Sequence, residues 1–174
     1  MAPGTYNEDI QINKSLTLQS TDGAESTTIQ GSGTRSSNYM VRIYSSNVTF
    51  KGFTVTNPNY GSGADASGIL VSAQYSDGGI SNIQILNNTI TGNPIGIKID
   101  PGEGVTVSGL VINNNKITGN TVYGVENTMT KSVVDATNNW WGDASGPSHS
   151  SNPNGKGDAV SDNVDFDPWS TSPN

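Results

Sequence analysis

The chain has 174 residues, 32% of them hydrophobic and 13% charged, with 21 glycines and no cysteine. That length makes one domain with a real core, and the missing thiol excludes disulfides, thiol catalysis and thiolate metal sites. A net charge of −7 with a pI near 4.4 argues against nucleic acid as a partner, because phosphate binding needs clustered Lys and Arg.

Met1-Ala2-Pro3-Gly4 enters a turn at once and reads as a cut made for expression. No apolar run approaches the roughly 20 residues of a membrane span. Ile10-Gln-Ile12 and Leu16-Thr-Leu18 alternate apolar with polar around a corner at Asn13-Lys14-Ser15. After Thr28-Ile29 and a turn-rich stretch from Gly31 to Asn38 comes Met40-Val41-Arg42-Ile43. Its pattern returns as Gly68-Ile69-Leu70-Val71, Gly96-Ile97-Lys98-Ile99 and Gly124-Val125-Glu126-Asn127, always 28 residues on. A fixed period of this size marks a solenoid, and alternation within each copy has the period of a strand.

A second phase runs between these copies. Val48-Thr-Phe50 leads to Val55, Ile83-Gln-Ile85 to Ile90, and Leu110-Val-Ile112 to Ile117. Two insertions, near Asn57 to Ala66 and Ser72 to Gly79, are rich in Gly, Ser, Asn and Asp and read as surface loops. No stretch shows helical periodicity. The fold class expected is therefore all-β: a parallel β-helix of three short parallel sheets and about five to six coils, single-stranded and right-handed, closed by a C-terminal loop cap. Residues 1–139 would form the coils and 140–174 an irregular capping segment of the same domain.

Inside such a coil Ile69, Val71, Ile97, Ile99 and Val125 form core columns. Asn87-Asn-Thr-Ile-Thr-Gly-Asn93 matches Asn114-Asn-Lys-Ile-Thr-Gly-Asn120 at all but one position. Stacked in register, Asn87 with Asn114, and Asn88 with Asn115 and Asn139, would bond from coil to coil as a ladder. Asparagine also tolerates the left-handed backbone of sharp corners. From Trp140 the periodicity is lost, and Trp140, Trp141 and Trp169 would cover the open end of the stack. The competing reading of these aromatics is a platform for sugar.

The stacked Asn-Asn-x-Ile-Thr-Gly-Asn units resemble the right-handed parallel β-helix repeats of the pectate-lyase-like superfamily. Ala2-Pro-Gly-Thr-Tyr-Asn-Glu-Asp-Ile-Gln-Ile12 with Lys14-Ser-Leu-Thr-Leu18 resembles the opening of such domains. Asn138-Asn-Trp-Trp-Gly-Asp-Ala-Ser-Gly-Pro147 and Val164-Asp-Phe-Asp-Pro-Trp169 are similar to their closing segment. The resemblance implies an extracellular or cell-surface setting and an extracellular polysaccharide as partner. It does not fix an activity, because one fold carries many chemistries.

The lyases of that superfamily imply a basic residue as general base and acids holding calcium on the outer face of one sheet. Here Arg42, Leu70, Lys98 and Glu126 form one outward column, with Tyr44, Ser72, Asp100 and Thr128 beside it. If the chain were an enzyme, a lyase or epimerase, Arg42, Lys98, Asp100 and Glu126 would be the catalytic set, in a groove walled by the Ser72–Gly79 loop. Lys98 and Glu126 are placed to pair across one coil step, and no three acids converge on this face. The expected cofactor is accordingly none, with Asp158, Asp162, Asp165 and Asp167 as the one candidate calcium set. His149, in Pro147-Ser-His-Ser-Ser, lacks an evident triad and reads as a loop histidine bonded to backbone. The residues favour a non-catalytic scaffold, spacer or adhesive, carbohydrate-contacting surface. The alternatives are the enzyme and a self-assembling fragment that stacks through its N-terminal coil edge.

Overall fold

The computed structural model describes residues 1–31, 38–57, 66–74 and 76–173. Most of the first two expected loops (32–37 and 58–65) lies outside the described residues, whereas the third, Ser72–Gly79, lacks residue 75 alone. Eighteen strands and no helix occur among the rest. The first turn runs through β1 (Gly4–Asn7), β2 (Ile10–Ile12) and β3 (Leu16–Gln19), and the second through β4 (Thr27–Gln30), β5 (Tyr39–Ile43) and β6 (Val48–Lys51). The third holds β7 (Thr54–Thr56), β8 (Ser67–Val71) and β9 (Ile80–Leu86), and the fourth β10 (Thr89–Thr91), β11 (Ile95–Ile99) and β12 (Val107–Asn113). The fifth is β13 (Lys116–Thr118), β14 (Tyr123–Asn127) and β15 (Val134–Asp135).

Successive turns stack into three parallel sheets: β1-β4-β7-β10-β13, β2-β5-β8-β11-β14, and a third beginning β3-β6-β9-β12-β15. The chain is thus an all-β parallel β-helix. Strand pairing sets Ile97 between Ile69 and Val125, and Ile99 between Val71 and Asn127. Ile69, Val71, Ile97, Ile99 and Val125 are all fully buried. The 28-residue isoleucine spacing is therefore the length of one turn, and each inward side chain rests on its equivalents above and below. Gln11 extends the outer column below Arg42, since β2 pairs with β5.

The C-terminal segment is more regular than its lost periodicity suggests. Trp140 bridges to Lys116 in the first sheet and Val160 to Val125 in the second. The strand Val164–Asp165 pairs with β15 in the third. These three contacts make a partial sixth turn. The small parallel pair Pro147–Ser148 with Gly157–Ala159 sits in the excursion between its first two sides. In chain order these last strands are β16 (Pro147–Ser148), β17 (Gly157–Ala159) and β18 (Val164–Asp165). The tryptophans divide: Trp141 is fully buried in the interior, while Trp140 and Trp169 are half-buried.

The glycines that head the repeat have a steric reason. A Cβ on Gly96 would lie 2.5 Å from the Gly124 carbonyl oxygen and 3.0 Å from Asn120 Nδ2. One on Gly68 would meet the Gly96 oxygen at 2.9 Å and the Asn93 amide at 3.0 Å. The absent side chains leave room for the buried Asn93 and Asn120. In the second turn the sizes are exchanged: Met40 stands at the repeat head and its Sδ fills the space beside Gly31.

Candidate functional site

Two buried amide stacks link the turns at their corners. Asn115 Oδ1 accepts from Asn88 N at 2.9 Å and from Asn88 Nδ2 at 3.0 Å. Asn139 Oδ1 accepts in the same way from Asn115 N at 2.8 Å and Asn115 Nδ2 at 3.0 Å. The stack begins where Phe53 N donates to Asn88 Oδ1 at 3.0 Å. Asn87 and Asn114 are not part of it. Both have positive φ, 54° and 57°, and the left-handed corner turns their side chains to solvent. That corrects the expectation that they form a parallel ladder.

A second stack, not expected from the sequence, runs through Asn93, Asn120 and Asp158. Asn120 Oδ1 accepts from Asn93 N at 3.2 Å and Asn93 Nδ2 at 3.0 Å. Asp158 then closes the stack: Oδ2 accepts from Asn120 N at 2.9 Å and Asn120 Nδ2 at 2.8 Å, and Oδ1 from Gly119 N at 2.9 Å. Asn93 and Asn120 end the two matching heptapeptides, at the same spacing as Asn88 and Asn115, so that signal was present in the sequence.

Burial pushes the Asp158 carboxyl above its ordinary range, against the opposing hydrogen bonds from Asn120 and Gly119. The folded chain then holds this proton more tightly than the unfolded one. The contribution is fully present below the unfolded pKa and is lost as pH rises through the raised folded value. Asp135 runs the other way. Its partial burial is outweighed by bonds from Thr137 and Asn113, which hold its carboxyl low, so its contribution fades as pH falls. Urea unfolding of the wild type and Asp158→Asn across the mildly acidic range should show that only the wild type loses stability through the Asp158 titration. Identical pH profiles for the two would refute that placement of the proton.

On the outer face of the second sheet, Lys98 Nζ lies 3.4 Å from Glu126 Oε2. Arg42 packs its guanidinium 5.0 Å from the Tyr44 ring and 5.6 Å from the Tyr39 ring, and its Nη2 donates to Ser72 Oγ at 3.4 Å. Ser72 is itself buried. Asp100 accepts from Gly102 N at 3.3 Å and so shapes its own turn. Leu70 stands between Arg42 and Lys98 in the pairing register. The face brings Lys98 to Glu126 and Arg42 to two tyrosines, and it does not gather the four candidate residues into one acid–base set.

In the C-terminal segment no three acids or histidines come together as metal ligands among the described residues. The candidate calcium set is dispersed, because Asp158 belongs to the interior stack and Asp162 to His149. His149 is not simply a backbone-bonded loop residue. Its Nε2 lies 3.2 Å from Asp162 Oδ1 and its Nδ1 2.8 Å from Ser151 Oγ, and its ring meets Phe166 edge-on at 5.6 Å. Ser151 N also points at Nδ1, at 3.2 Å, and Asn152 N donates to the His149 carbonyl at 2.9 Å. The group thus folds into a tight turn in which Ser151 N and Asn152 N are both engaged. Beside it Ser151, Asn152, Asp165, Phe166, Asp167 and Trp169 line a cavity of about 400 Å³.

The chain belongs to the family described as a protein of unknown function, DUF1565, whose model matches residues 7–165. No curated protein and no solved structure matches it.

Proposed function

We propose that this β-helix repeat domain is a rigid, non-catalytic element of an extracellular or surface protein, with its outer faces in contact with polysaccharide. The observation that carries the reading is the Lys98–Glu126 pair. The one lysine on the register face is committed to a carboxylate, whereas a general base must stand free within reach of a substrate proton. Arg42, clasped between Tyr39 and Tyr44, is likewise held in a structural setting.

A rigid spacer also suits an interior in which polar groups as well as apolar ones stack from turn to turn. The first turn supports the self-assembly reading as a second role. β1, β2 and β3 each end their sheet, and unpaired parallel edges accept a further strand.

The test is incubation of the purified chain with polygalacturonate and alginate, with and without calcium. Appearance of unsaturated uronate ends is followed by absorbance and reducing-end release by colorimetry. No product above the blank is expected. Steady product formation that disappears in Lys98→Ala or Asp100→Ala would overturn the scaffold reading in favour of a lyase.

A further inference from the structure

We infer that the open N-terminal end of the coil seats a second copy of the chain, head to head across a two-fold axis at Gln11. This rests on the self-assembly role above and gives it a partner, a symmetry and a register. The core is unfinished at this end. Tyr6, Ile10, Leu16 and Leu18 are half-buried, although their pairing partners in the second turn, Ile29, Val41, Val48 and Phe50, are at 1% exposure or less. Met1 covers part of the gap from the corner before β1, where its carbonyl accepts from Thr21 N at 2.9 Å. The free edges of β1, β2 and β3 surround the same opening.

The backbone sets the register. Tyr44 N donates to Ile12 O at 3.0 Å, so Ile12 and Ile10 turn their backbone groups to β5, and Gln11 between them turns its own to the free edge. Two such edges related by a two-fold axis pair antiparallel, each Gln11 exchanging both bonds with its equivalent. That choice sets Ile10 of one copy opposite Ile12 of the other, and Glu8 opposite Lys14. The chain takes as many residues from Tyr6 to Ile10 as from Ile12 to Leu16. β1 of one copy therefore runs along β3 of the other, with Tyr6 opposite Leu16. Inward residues meet inward residues on all three sides, as a self-complementary interface requires. Glu8 and Lys14 are exposed, and neither has an ion-pair partner among the described residues. Across the axis each carboxylate meets an ammonium, a complementarity that selects partner and register more than it adds affinity. The other end of the coil offers no such fit. Its last turn joins the stack through single bridges at Trp140 and Val160. Exposed Asp162, Asp165 and Asp167 there would face Glu8 and Asp22 of a copy stacked head to tail.

Sedimentation equilibrium of the purified chain over a concentration series should show monomer and dimer and nothing larger. Glu8→Lys and Lys14→Glu, both at exposed corners, should fold as the wild type does by circular dichroism. Each should weaken the dimer about tenfold, because each removes two exposed ion pairs. The double variant Glu8→Lys/Lys14→Glu re-forms both pairs and should recover the dimer. The chain has no cysteine, so Gln11→Cys supplies a single thiol at the axis. Hydrogen-bonded antiparallel neighbours lie about 5.5 Å apart at Cα, within the span of a disulfide. Air oxidation should therefore cross-link Gln11→Cys much faster than Thr17→Cys, whose position faces Thr5 and not itself. A dimer indifferent to the single swaps, no recovery in the double variant, or equal cross-linking of the two thiols would overturn the inference. Species growing past the dimer would sink it and leave the self-assembly role standing. A chain that stays monomeric at every concentration would remove both.

Discussion

Asn115→Ala is expected to lower stability by about 4 kcal/mol or more. The alanine would leave Asn88 N–H and Nδ2 without their shared acceptor. It would also leave the Ile85 and Asn113 carbonyls without the donor that now reaches them at 2.8 and 3.0 Å. Asn88 and Asn115 are buried. Each buried polar group left unmatched costs about 1–3 kcal/mol, a cost that water entering the vacated space would only partly offset. Against a total of about 5–15 kcal/mol for a typical domain, this is a large fraction. The matched control is Asn114→Gly, one residue earlier. Asn114 is exposed and sits at φ 57°, a conformation glycine adopts without strain, so little or no loss is expected there. Urea denaturation of both variants decides it; equal losses would show that the buried stack contributes nothing particular.

Gly96→Ala should be the next most damaging change, at about 3 kcal/mol. Gly96 is not among the glycines with positive φ, so conformational freedom is not why glycine stands there. The added methyl would be driven against the Gly124 carbonyl oxygen, 2.5 Å away. Neither strand can retreat, because Ile95 and Ile97 are held in register with Tyr123 and Val125. Overpacking a site of this kind typically costs about 1–3 kcal/mol, more where the obstacle is backbone. Gly104→Ala separates steric from conformational cost. Gly104 has φ 73° and open space around it, so the only loss expected is the strain of a left-handed alanine, about 1 kcal/mol. Thermal unfolding of the two variants side by side would contradict the packing argument if Gly104→Ala proved the more harmful.

The parts of the fold legible in the sequence are those where a turn keeps a constant length. Between Met40 and Asn127 each turn of the second sheet is 28 residues long, so the columns Ile69–Ile97–Val125 and Arg42–Leu70–Lys98–Glu126 could be read from spacing alone. The first turn escapes that reading. Ile10 pairs with Val41, 31 residues away, because the connection between β3 and β4, residues 20–26, is longer than the two-residue corners that replace it in the next turns. The sixth turn is hidden in the same way, since the excursion between Trp140 and Val160 sets Val160 35 residues after its partner Val125.

The amide stack at Asn88, Asn115 and Asn139 was visible because the same residue type recurs. Its counterpart carried the same recurrence at Asn93 and Asn120, and only its last member, an aspartate inside that excursion, escaped the spacing. For the same reason Asp158 looked like one acid in a loose acidic tail, though its carboxylate receives three donors from the preceding turn. Contacts of His149 were equally out of reach of spacing. Ser151 is two residues away, but Asp162 arrives only when the sixth turn closes.

The claim at the centre of this account is that the corner asparagines are interior structure and not a ligand-facing surface. Native-state hydrogen exchange of the side-chain amides tests it most directly. The Nδ2 protons of Asn88, Asn93, Asn115 and Asn120 should exchange only on global unfolding, while those of Asn87 and Asn114 exchange at the rate of exposed amides. Rapid exchange at Asn115 and Asn120, equal to that at Asn114, would contradict the stacked interior.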